Sequence, residues 1–235
     1  AVALLEGRVV AHDQVEEARR VQRDVPLPLG TLLVRMGSVS PTELRRGAPP
    51  GMEEPIPGEP VAWSPEVLEA LRDPKRRFGK YVLVEEVGRG GMGVVYRAYD
   101  ALLDRQVALK MLLSDAFMVG AATTAGSMTT ETQVERFKRE ARAAGKLSHP
   151  GIIPIYEVGV QNGFHFFTME FVEGPSLEKV LRGARLAPRL AARLAQEAAE
   201  ALHHSHLAGV IHRDIKPGNL LLSIATAAVP TESTV

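Results

Sequence analysis

The chain has 235 residues, 45% hydrophobic and 24% charged, enough for one or two soluble domains with a sizeable core. Its 28 Lys and Arg balance 28 Asp and Glu, so no bulk field draws it to nucleic acid or an anionic membrane surface. With no cysteine it has no disulfide, thiolate metal site or cysteine nucleophile, and no apolar run approaches the roughly 20 residues of a membrane span.

Residues 1–48 carry helical periodicity and a weak internal repeat. The segment Leu4 to Val15 aligns with Leu33 to Leu44, placing Leu4, Leu5, Val10 and Val15 over Leu33, Val34, Val39 and Leu44. Ser40 before Pro41, with Glu43 at the third helical position, predicts a helix start. The pattern is similar to small helical repeats at the N-terminus of type II secretion ATPases and ahead of some bacterial kinase domains; a plain helical hairpin without a ligand is the simpler account. Residues 49–77, opening on the Pro- and Gly-dense GAPPGMEEPIPGEP stretch, read as a linker. It ends in a short predicted helix, with Ser64 as N-cap and Pro65 at the first helical position.

From Phe78 the pattern changes to strands. YVLVEEVGRGGMGVVYRAYD reads as strand, glycine turn, strand, with Gly88, Gly90, Gly93 and Val95 spelling G-x-G-x-x-G-x-V. Side chains at these glycines would hold backbone amides away from phosphate oxygens. A dinucleotide-binding turn opens a helix, whereas the β-branched residues after Gly93 predict a strand. RQVALKML follows as a strand carrying Ala108 and Lys110. Ser114–Gln133, rich in Ala, Thr and Gly, reads as a flexible insertion. A helix then buries Phe137, Ala141, Ala144 and Leu147, with Glu140 beside that stripe. FHFFTMEFVEGPSL alternates as a strand and breaks at Gly174-Pro175 into a helix capped by Ser176.

A long Ala/Leu helix leads to Gly209, and then His212, Arg213, Asp214, Lys216, Pro217 and Asn219 spell H-R-D-x-K-P-x-N. The preceding His203, His204 and His206 lack acidic or cysteine companions and read as exposed or core histidines, not as metal ligands.

From Phe78 to Leu222 this series resembles a bacterial eukaryotic-like (Hanks-type) serine/threonine protein kinase. The resemblance implies an α+β fold: a small lobe of antiparallel sheet plus one helix, and the first helices of the large lobe, preceded by the small helical N-terminal region. It implies ATP and Mg²⁺ as cofactors and a protein substrate whose Ser or Thr takes the γ-phosphate. Onto this chain it carries an ATP site of Val87, Gly88, Arg89, Gly90, Gly91, Met92, Gly93, Val95, Ala108, Lys110, Glu140, Met169, Glu170, Val172 and Leu221. Lys110 would reach the α- and β-phosphates, held by Glu140; Met169 would be the gatekeeper; Glu170 and Val172 would offer backbone groups to the purine. Asp214 would accept or orient the substrate hydroxyl proton, Lys216 would steady the γ-phosphate, and Asn219 would ligate Mg²⁺.

After Leu222 no Asp-Phe-Gly follows, and residues 223–235 lose all apolar periodicity, so the kinase domain is expected to be incomplete, truncated after the catalytic loop, with an unstructured tail. Without that second magnesium ligand, the chain as written is expected to have little or no phosphotransferase activity. The alternative is a non-catalytic nucleotide-binding or protein-interaction module, pseudokinase-like. A cytoplasmic setting is expected, with any membrane anchor lying beyond residue 235, and a regulatory partner is expected for residues 1–48.

Overall fold

The strand-forming residues between Arg77 and Glu170 build a sheet, and the periodic segments on either side build helices, in a computed structural model that describes residues 10–47, 62–90, 93–112 and 130–223. The chain divides into two compact units, one running through Val107 and including Gln161–Gly163, the other formed by the remainder from Ala108.

In the first unit, helices α1 (His12–Gln22), α2 (Leu29–Arg35) and α3 (Pro41–Gly47) precede α4 (Pro65–Arg72). The α2 helix closes in a Schellman motif. Gly37 takes φ +73°, its N–H donates to the Val34 carbonyl, and the Ser38 N–H donates to the Leu33 carbonyl. The predicted start of α3 is a full capping box, in which the Glu43 N–H donates to Ser40 Oγ and the Ser40 N–H to Glu43 Oε2. The α4 helix starts as expected, with the Val67 N–H donating to Ser64 Oγ. Repeat partners Val10 and Val39, and Val15 and Leu44, are all buried; Leu4 and Leu5 lie outside the described residues.

Strands β1 (Arg77–Phe78), β2 (Tyr81–Gly90) and β3 (Gly93–Asp100) pair antiparallel in succession, and β4 (Arg105–Met111) follows β3 in the order. One core joins the helices to these strands: Val15, Val21, Val25, Leu32 and Leu33 pack with Trp63, Val67, Leu71, Val82 and Ala101. Each such aliphatic side chain contributes about 1.5–3 kcal/mol of burial. Two arginines fasten the same contact. Buried Arg77 donates to the Leu71 carbonyl and pairs with Asp24 at 3.0 Å, and Arg35 pairs with Asp104, which also accepts from the Tyr99 hydroxyl. Burial, with the hydrogen bond to Asp104, raises the Tyr99 phenol, while the hydrogen bonds from Arg35 and Tyr99 outweigh burial and leave the Asp104 carboxyl below its ordinary value.

In the described part of the stretch expected as a linker with a terminal helix, residues 62–77 hold that helix, α4, followed by a 3₁₀ turn at Pro74–Arg76 and the first residue of β1, and Trp63 is a core residue. The first compact unit ignores the expected border at residue 78, because the strands complete the core that the helices begin.

In the second unit the rest of β4 is followed in sheet order by β6 (Phe164–Glu170) and then β5 (Ile155–Gln161). The β5–β6 turn, Asn162-Gly163, is counted with the first unit, and both residues have positive φ, the two-residue geometry whose twist suits adjacent strands. The α5 helix (Thr130–Ala144) begins inside the stretch read as an insertion, whose residues 114–129 lie outside the described set. Of the expected stripe, Phe137 and Ala141 are buried on the helix and Ala144 is half-buried at its end, with buried Leu147 just past it; Phe137 lies against Phe167 at 5.0 Å between ring centroids. The α6 helix (Leu177–Gly183) starts at Ser176, whose Oγ accepts from the Lys179 N–H. The α7 helix (Pro188–Leu207) buries only Ala201 and Ser205, and Leu207 is 77% exposed.

Candidate functional site

The glycine turn belongs to the first unit. Gly90 and Gly93 face each other across the end of the β2–β3 hairpin, while Gly91 and Met92 lie outside the described residues. Among the described residues, no heavy atom beyond the chain neighbours lies within 4 Å of where a Cβ would stand on Gly88 or Gly90. Val87 is 48% exposed, Arg89 pairs with Glu86 at 2.6 Å, and Val95 is half-buried. That pairing, through the hydrogen bond first, holds the Glu86 carboxyl below its ordinary value.

The remaining sequence-predicted residues belong to the second unit. Ala108 is buried on β4, and Lys110 two residues on is half-buried, its Nζ 5.6 Å from the centre of the Phe167 ring. Glu140 is exposed on α5, and among the described residues neither it nor Lys110 makes an ion pair. What Lys110 meets instead is the ring of Phe167, itself packed on Phe137, a cation–π contact that sequence reading did not anticipate. The available signal is the alternation of β6, which places Phe167 and Met169 on one face; both join the cluster with Leu112, Phe137 and Ala141. The Glu170 N–H donates to the Pro154 carbonyl at 3.1 Å. Val172 is half-buried.

The catalytic-loop residues are drawn together by how α7 ends. Gly209 (φ +74°) donates to the His206 carbonyl and Val210 to the Ser205 carbonyl, a second Schellman motif that turns the chain sharply. Arg213 takes φ +64°, a left-handed conformation costing a non-glycine residue about 1–2 kcal/mol, directly before Asp214. Beyond it, Asp214 Oδ2 accepts from Lys216 Nζ at 2.8 Å and from Asn219 Nδ2 at 3.0 Å. Asn219 Nδ2 also donates to the Asp214 carbonyl at 2.7 Å, and the Asp214 N–H donates to His212 Nδ1. These donors, Lys216 first and then Asn219, hold the Asp214 carboxyl below the ordinary aspartate value. The 3₁₀ turn Pro217–Asn219 makes this compact spacing.

The loop is seated on α6. The Leu177 N–H donates to the Leu220 carbonyl, the Leu222 N–H to the Pro175 carbonyl, and Leu221 bridges Ser176. At Gly218 the backbone comes close to α6, since a Cβ there would stand 3.0 Å from the tip of the Glu178 side chain, which would have to shift slightly. Leu221 itself is 43% exposed. His204 lies with its ring 5.2 Å from His149, whose Nδ1 accepts from the Gly151 N–H.

A family model for the protein kinase domain matches residues 81–229, more than half of the chain. Among curated relatives, serine/threonine-protein kinase PrkC of Bacillus subtilis is 36% identical over 149 residues, which is 63% of this chain and 21% of that protein. Serine/threonine-protein kinase PknD of Mycobacterium tuberculosis is 39% identical over 153 residues, 65% of this chain and again 21% of that protein. The chain thus spans about a fifth of the length of these relatives. Of solved structures, the apo form of PpkA-294 aligns with a TM-score of 0.55 at 26% identity, covering 64% of this chain and 57% of that one. The M. tuberculosis PknI kinase domain aligns at 0.50 and 27%, covering 63% and 55%. With more than half its length matched by the family model and its motifs in the family's order, the chain belongs to the protein kinase family, among the bacterial Hanks-type serine/threonine kinases.

Proposed function

We propose that this chain carries the nucleotide-binding and catalytic-loop portion of a serine/threonine protein kinase, which transfers the γ-phosphate of ATP to a protein Ser or Thr in the cytoplasm. The observation that carries the reading is the convergence of Lys216 and Asn219 on Asp214 Oδ2. A carboxylate held ionised beside an ammonium group is suited to orient a hydroxyl and take its proton while the cation meets phosphate charge. Lys110 is the α/β-phosphate ligand, with Glu140 its partner in the nucleotide-bound state. Val87 to Gly93 and Val95 form the phosphate turn and its roof, and Ala108, Met169, Glu170, Val172 and Leu221 surround the purine.

Magnesium fits the donor set. The Asn219 amide nitrogen is taken up by Asp214, leaving the amide oxygen as the hard donor such an ion accepts, with water and phosphate oxygens completing its shell. Bound there, it would neutralise phosphate charge during transfer. The N-terminal helices are the regulatory part of this reading.

A melting experiment with Mg-ATP, and transfer of labelled phosphate to a generic protein substrate, test the proposal. At a hundredfold excess over Kd, nucleotide stabilises by about 2.7 kcal/mol. Asp214→Asn is expected to keep that shift and to cut transfer at least about a hundredfold. A second reading, nucleotide binding without transfer, draws on the lack of an ion pair at Lys110 and Glu140 among the described residues. It is favoured if Mg-ATP stabilises the chain and no phosphate moves.

A further inference from the structure

Residues Glu85 to Gly90, which lead into the glycine turn, are all exposed. A strand with no buried face has no apolar pattern to specify its register, and a two-stranded ribbon is marginal on its own. Yet the register here departs from regularity twice, between Leu83 and Glu85 and again between Glu86 and Gly88. Between the two irregularities Glu85 pairs with Arg97 and Glu86 with Tyr96.

Both glutamates are gripped by guanidinium groups. Arg97 Nη2 lies 3.2 Å from Glu85, its Nε donates to the same carboxylate, and its Nη1 lies 2.8 Å from Glu66 on α4. Arg89 takes Glu86 through two nitrogens. The extra residue of the first irregularity, Val84, is also held, since its carbonyl accepts from Arg76 Nη1 at 3.0 Å. The Arg97 side chain is only 18% exposed, so its charge is partly withdrawn from water, and burial opposes the raising of its pKa by Glu66 and Glu85. Arg97 therefore ties the hairpin, at the point where its curl is set, to the helix that carries the N-terminal core.

We propose that Arg97 is a positioning residue for the glycine turn, and that through Glu66 the N-terminal helical region bears on how tightly the turn holds nucleotide phosphates. This rests on the nucleotide reading above. The guanidinium is engaged by Glu85 and Glu66, and so acts on the register of the strand pair that leads into the turn.

The test is equilibrium binding of Mg-ATP and, separately, of adenosine to the full chain and to Arg97→Gln, Arg97→Lys and Glu66→Gln. Adenosine has the purine and no phosphate, so it separates phosphate grip from general damage to the site. Arg97→Gln is expected to weaken Mg-ATP about three- to tenfold and to leave adenosine unchanged, as suits a pair of partly exposed ion pairs. Arg97→Lys, which keeps the charge and loses the fork, should recover part of the loss. Glu66→Gln, on an exposed carboxylate, should weaken Mg-ATP about twofold in the same direction. Trp63, the single tryptophan, reports by its emission that α4 stays docked in each variant. Equal weakening of both ligands, or unchanged Mg-ATP affinity in Arg97→Gln, overturns the proposal while the nucleotide reading stands. Wild-type chain that binds neither ligand overturns both.

Discussion

Asp24 lies 53 positions before Arg77, yet replacing it should loosen the strands as well as the helices. The Arg77 side chain is 4% exposed and Asp24 43%. In Asp24→Ala the guanidinium keeps the Leu71 carbonyl and loses its counter-charge while remaining out of water. Breaking a fully buried pair costs about 3–5 kcal/mol and an exposed pair about 0–1, and with one partner half in water the expected loss is about 2 kcal/mol. For a unit of about a hundred residues this lowers the melting midpoint by about 4–8 °C per kcal/mol. Urea unfolding followed by Trp63 emission reads the first unit directly, because Trp63 is buried in the core that both halves share. Arg77→Met in the Asp24→Ala background should restore most of the loss, since an apolar chain has no charge to strand. A loss below about 0.5 kcal/mol in Asp24→Ala would refute the reasoning, because the helices would then not be fastened through this arginine.

Two further outcomes follow from the second unit. Phe137→Ala should cost about 3–5 kcal/mol, since the ring is buried against Phe167, and thermal unfolding of the purified variant checks it. The Asp214 carboxyl should titrate below the ordinary aspartate value of about 3.9 when followed by carbon NMR. The stability its hydrogen bonds confer is present above that ordinary range and lost as pH falls through the depressed value, and Lys216→Ala should move the midpoint upward; an unmoved midpoint would mean that Lys216 does not hold the carboxylate.

Local chemistry made the helix starts and the glycine hairpin legible. Ser40 with Glu43, and Ser64 with Pro65, need only their own neighbours to cap a helix, and both do so where the residues predict. The β-branched run after Gly93 likewise settles strand over helix. Composition misled where a Pro- and Gly-rich opening stood for a whole segment. Trp63 and the α4 stripe Val67, Ala70 and Leu71 are apolar enough to demand a core, but which core they join depends on Val82 and Ala101, far along the chain. The start of α5 was hidden for a related reason, since Thr130 and Thr132 are weak helix formers that a buried stripe further on carries into the helix.

At the candidate site the division falls between residues related by a turn and residues related by placement. Asp214, Lys216 and Asn219 lie within six positions, and a single 3₁₀ turn suffices to bring their side chains together, so motif spacing and geometry agree. Lys110 and Glu140 are thirty positions apart on separate elements, and spacing alone cannot say whether they meet. Here the ammonium lies over Phe167 while Glu140 stays in solvent. A cation–π contact of this kind is worth about 0.5–2 kcal/mol. Motif order therefore names the two groups, while the neighbour the ammonium takes is set by how β6 and α5 pack around it.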